Sequence, residues 1–169
     1  MDAIGTAQQE IADECMLDNI KEEIKQSQAA GRPTKNDPAG LLRQGLTVSI
    51  DMGWQKRSSG NRYDSPSGVS LMIGALSKTI LQRYVCGKLC SVCSVPKNNN
   101  NKVPNSNSAP RKHRCPLNYS GTSKGMEALA AVECVRGLFR ATTNFKECPP
   151  AFVDVVISDD DSSTWANLQ

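Results

Sequence analysis

Residues 46–53 read LTVSIDMG. Leu46, Val48, Ile50 and Met52 alternate with Thr47, Ser49 and Asp51, the period of two that marks a half-buried strand. Asp51 is thus a carboxylate on the polar face near a strand end. A second run, AFVDVVI at 151–157, is almost continuously apolar and β-branched. Such a run suits a parallel strand buried on both faces and reached through a helix crossover. It is followed at once by Ser158, Asp159, Asp160 and Asp161. Carboxylates side by side repel unless water, a helix start or a metal offsets the charge. If the two strands are parallel neighbours, their ends meet, and ligands of open α/β sheets bind at such ends. Acids gathered there suit Mg²⁺ or Mn²⁺, which prefer hard oxygen ligands and in pairs serve phosphodiester chemistry. The same run also suits a plain cap for a helix starting at Ser163.

Between these runs the chain supplies the rest of a mixed α/β sheet. GVSLMIGAL, with Val69, Leu71, Ile73 and Ala75 alternating, predicts a second strand, and TILQRYV at 79–85 a third. Two antiparallel pairs or a three-stranded meander fit this spacing. Residues 122–143 predict a helix with Met126, Leu129, Val132, Val135 and Phe139 as its apolar contributors and Ser120, Thr122 or Ser123 as its cap. Ahead of the first strand, 1–30 form an N-terminal helix with Ile11, Cys15, Leu17, Ile20 and Ile24 near helical spacing. Residues 31–44, rich in Pro and Gly, read as a linker to a core at 45–169.

The charge is unevenly distributed. Residues 1–51 carry 5 Lys/Arg against 9 Asp/Glu, residues 52–114 carry 11 against 1, and residues 115–169 carry 4 against 7. A basic middle between acidic ends suits a polyanion surface beside an acidic site, or a solvated basic loop. Trp54, Lys56, Arg57 and Arg62, with Tyr63, crowd the loop after the first strand. Basic and aromatic residues together suit phosphate contact and base stacking, hence DNA. A Trp54 tucked into the core is the alternative. No stretch approaches the roughly 20 apolar residues of a spanning helix, and the acidic N-terminus has no apolar core for a secretory signal. These features predict an intracellular chain that does not engage a membrane.

Seven cysteines, at 15, 86, 90, 93, 115, 134 and 148, are an odd number. Four candidate ligands fall in two close pairs, Cys90 with Cys93 and His113 with Cys115. CxxC with HxC supplies the four soft ligands of a structural tetrahedral zinc site. The spacer between the pairs holds an Asn-rich tract, 97–110, which cannot bury apolar surface. The insert as a whole spans 86–118. Cys86 is a spare that could take a ligand place.

Read in order, VSIDMGWQKRSSGNRYDSPSGV, KLCSVC, HRCPLNYSGTSKGMEALAAVE and ISDDDSS resemble the Mutator-like transposase domain, over about residues 10–169. The resemblance implies an RNase H-like fold and the chemistry of a DDE transposase: metal-dependent DNA cleavage and strand transfer in the nucleus, with assembly into a homo-oligomer. It maps the first catalytic acid to Asp51, the second to Asp159 or Asp161, and a helix glutamate to Glu127, with Glu133 a weaker match. Ser158 stands where a glycine is usual and Tyr119 where Trp is frequent. The third acid belongs on a later helix, so the resemblance implies a core truncated at the C-terminus. Two other functions fit the same residues: a nucleic-acid-binding module without cleavage, and a zinc-stabilised interaction domain.

Overall fold

The computed structural model describes residues 3–55, 65–93, 113, 115–144 and 148–157, the side chains of 3–5 excepted. Lys56, Arg57, Arg62, the Asn-rich tract 97–110, Asp159, Asp161 and the helix expected from Ser163 lie outside these residues.

The chain runs α1 (Ala3–Ala29), β1 (Thr34–Asn36), β2 (Leu42–Trp54), β3 (Ser67–Gly74), β4 (Ile80–Gly87), α2 (Ser123–Asn144) and β5 (Ala151–Ile157). The five strands form one mixed sheet in which β2 is the hub. β2, β3 and β4 form an antiparallel meander. β1 is also antiparallel to β2, whereas β5 is parallel to it. Antiparallel pairing therefore dominates, and the one parallel pair is the crossover through α2.

The alternation of β2 decides which way the sheet faces. Leu46, Val48, Ile50 and Met52 are buried. The first three join Ile20 and Ile24 of α1 and Ala131, Cys134 and Leu138 of α2 in the main core. Met52 packs with Cys86, Met126 and Ala130 in a second cluster. Both helices thus lie on one face. Burying an aliphatic side chain there contributes about 1.5–3 kcal/mol.

The register assigns the opposite face. Ser49 pairs with Ile73, Asp51 with Leu71 and Gly53 with Val69. Thr47 and Ser49 pair with Val155 and Ile157, and Val69 with Val85. Directly paired residues share a face, so Val69, Leu71 and Ile73 point away from the helices. The residues of β3 that meet the helices are Gly68, Ser70, Met72 and Gly74. Small residues let α2 come close, near enough for the Cys134 thiol to reach the Ser70 carbonyl at 3.9 Å.

Three expectations need correction. β5 is parallel but not buried on both faces, since Val155 is 43% and Ile157 54% exposed. Its run is apolar but for Asp154, and among the described residues both helices cover the same side of the sheet. α1 packs onto β2 and β4 as part of the fold. Its contacts come from Leu17, Ile20, Glu23, Ile24 and Ser27, while Ile11 and Cys15 are exposed. Finally, residues 31–44 are a folded connection. Gly31 at φ +64° closes α1, with Arg32 N–H donating to Ser27 O and Gly31 N–H to Gln28 O, the paired bonds of a Schellman end. β1 and β2 then make a hairpin about Asp37-Pro38-Ala39-Gly40, whose Asp, Pro and Gly occupy the places a type I turn favours. Gly40 N–H donates to Asp37 O, and Gly40 itself sits at φ +80°.

Candidate metal centre and strand-end carboxylate

β4 delivers the first pair of candidate ligands. Three residues after it ends, Cys90 is buried and Cys93 exposed. The second pair, half-buried His113 and exposed Cys115, comes from the segment that leads into α2. The ligand atoms of all four lie within 4.8 Å of one another. His113 Nε2 is 3.1 Å from Cys90 Sγ and 3.4 Å from Cys93 Sγ. Cys93 Sγ is 3.7 Å from Cys115 Sγ. A tetrahedron with Zn–S of ~2.3 Å and Zn–N of ~2.0–2.1 Å has edges of ~3.8 Å between sulfurs and ~3.6 Å between sulfur and nitrogen. The Cys93–His113 and Cys93–Cys115 separations match those edges to within a few tenths of an ångström, and Cys90–His113 is about half an ångström shorter. These four residues can therefore hold a metal ion, and with protein atoms at every corner no place is left for water.

Local backbone chemistry prepares the site. The Cys93 N–H, with that of Val92, points at the Cys90 sulfur and brings its pKa down to about 6. Cys93, facing the Cys115 and Cys90 sulfurs, is pushed up to about 11. Three thiols crowded together cannot all ionise without a cation among them. Cys86 takes no part. It is fully buried against Met52 and Met126, and burial raises its pKa.

What sequence reasoning missed is how the two ligand pairs are brought together. Asn118 Nδ2 donates to Val85 O at 2.7 Å, and Asn118 Oδ1 accepts from Gly87 N–H at 2.8 Å. The main-chain N–H groups of Asn118 and Tyr119 donate to Gly87 O. A Cβ at Gly87 would come to 2.5 Å from Pro116 O. A glycine three residues before the CxxC and an asparagine three residues after the HxC were the available signals.

Asp51 lies near the C-terminal end of β2 and is exposed. Its carboxylate accepts from Met52 N–H at 2.8 Å. The last described residue of β5, Ile157, pairs with Ser49, two residues before Asp51. Glu127 is half-buried on α2. Met52 packs with Met126 in the second core cluster, so strand alternation turns Asp51 to the face of the sheet opposite the helices. Glu133 pairs with Arg136 at 2.6 Å and with Arg140 at 4.0 Å. Trp54 packs against the second core cluster, the tucked arrangement. Among the described residues no helix is long and apolar enough to cross a membrane.

The model of the Mutator-like transposase family matches residues 1–169. No curated protein and no solved structure matches the chain. Since the family match runs the full length, through the strand that bears Asp51 and the four-ligand cluster, the chain belongs to the Mutator-like transposases.

Proposed function

We propose that this chain is an RNase H-like transposase domain that acts on DNA in the nucleus, with zinc as the structural metal of Cys90, Cys93, His113 and Cys115. The observation that carries the catalytic part is the parallel pairing of β5 with β2, which ends at Ser49 and Ile157. It supports a site in which Asp51 and Asp159 or Asp161 hold Mg²⁺ or Mn²⁺. A divalent ion bound there supplies Lewis acidity toward a phosphodiester. The chain's own part is to fix the carboxylates on adjacent strand ends and to bind the DNA backbone. Lys56, Arg57 and Arg62, just after β2, suit backbone contact. Strand transfer would follow by in-line attack of a 3′-hydroxyl on the target phosphate, the new ester bond replacing the bond to the target strand's own 3′-oxygen, which leaves as a hydroxyl; the assembly would be oligomeric.

A second reading is favoured by one observation. Asp51 is exposed on the face of the sheet opposite the one that α2 covers, by the alternation of β2 with buried Met52. That arrangement fits a module that binds nucleic acid without cutting it.

Supercoiled DNA incubated with the protein and Mn²⁺ separates the two. The first reading expects nicking that Asp51→Ala reduces by 100-fold or more while one zinc per chain is retained. DNA binding that weakens steeply with salt, with no nick, establishes the module instead. Neither nick nor binding, with zinc still present, leaves an interaction domain.

A further inference from the structure

We infer that Asn118 is a positioning residue for the metal centre, with Gly87 as its counterpart on β4. The inference rests on the metal reading of the four-ligand cluster. His113 follows Cys93 by 20 positions, with residues 94–112 between the two ligand pairs. A metal that had to close so long a loop would bear the entropy of closure itself. Asn118 removes that burden. Its side chain spans two main-chain groups of one edge strand, donating to Val85 O and accepting from Gly87 N–H. Swapping its amide oxygen and nitrogen would oppose like with like at both ends, so the pattern defines the orientation. Main-chain bonds from Asn118 and Tyr119 to Gly87 O complete the clamp.

The clamp is placed where it matters for chelation. It fixes a point three residues before Cys90 to a point three residues after Cys115. Each ligand pair therefore hangs on a short tether from a shared anchor. The absent side chain at Gly87 lets the Pro116 carbonyl lie against the strand. Partners that hold ligands in place without touching the metal typically change affinity by about 10–100-fold. Asn118 coordinates nothing and is not a catalytic residue.

The test is metal affinity of the full chain. Co²⁺ reports the ligand set through its thiolate charge-transfer and tetrahedral d–d bands, and Zn²⁺ affinity follows from competition with a chromophoric chelator. Asn118→Ala is expected to bind Zn²⁺ about 10–100-fold more weakly, with the Co²⁺ bands at saturation unchanged. A merely structural residue would not give that separation. Gly87→Ala is expected to give a similar loss from the other limb and serves if Asn118→Ala does not fold. Leu117→Ala, exposed between the same limbs, is the control. Co²⁺ bands in the unsubstituted protein with Zn²⁺ affinities of the variants within twofold of it overturn the positioning role alone. No such bands in the unsubstituted protein overturn the metal reading and this inference with it.

Discussion

At the scale of single residues, two carboxylates do structural work. Glu23 is fully buried in α1, and its oxygens accept from Leu76 N–H at 3.2 Å and Ser77 N–H at 2.7 Å. They satisfy the turn between β3 and β4, where Lys78 sits at φ +59°. A side chain at Gly74 would collide with that carboxylate, so glycine there makes room for it. Glu23→Ala leaves two donors short of an acceptor and is expected to cost about 3 kcal/mol in urea unfolding, with Glu23→Gln costing less. Asp37 acts in the other hairpin. Leu41 N–H, then Arg43 and Ala39 N–H, hold its carboxylate below the usual 3.8. A depressed carboxyl pKa stabilises the fold above the unfolded value and loses that contribution as the pH falls through the folded one. The stability difference between wild type and Asp37→Asn is therefore expected to be full at pH 6 and to shrink below about pH 4. Urea midpoints measured across that range check it, and a constant difference would contradict it.

At the scale of elements, α1 divides in two. Residues 17–27 bury one stripe on the sheet, and those before it carry mostly exposed side chains. Ile24 is 1% exposed and Ile11 61%. Ile24→Ala is expected to cost about 2–5 kcal/mol and Ile11→Ala less than about 0.5 kcal/mol, read from the same denaturation curves. Periodicity found the helix but could not tell the halves apart, because both carry apolar residues at helical spacing. What separates them is the extent of the sheet beneath. The same limit applies to β3, where alternation gave the strand without its facing. Gly68, Ser70 and Gly74, with Met72, proved to be the ones turned to the helices, and a small residue such as Ser70 or Gly74 lets a helix side chain come close. β1 escaped because three polar residues, Thr34, Lys35 and Asn36, have no apolar period at all. Its signal was the Asp37-Pro38-Ala39-Gly40 turn chemistry.

At the scale of the whole molecule, the sequence by itself determined the three antiparallel strands, the crossover helix, the parallel last strand and the four Cys and His residues that cluster. Each follows from local physics: an alternation of two, a helical period, a β-branched run, or a spacing that a tetrahedral ion requires. Only the tertiary structure decided that α1 belongs to the core, that both helices cover one face, and that β5 keeps Val155 and Ile157 exposed. It alone turned Asp51 away from the face that α2 covers, and showed Asn118 joining the two limbs of the Cys and His cluster. Those outcomes depend on which surfaces meet, and a chain specifies that through packing between residues far apart in number, which no local pattern records.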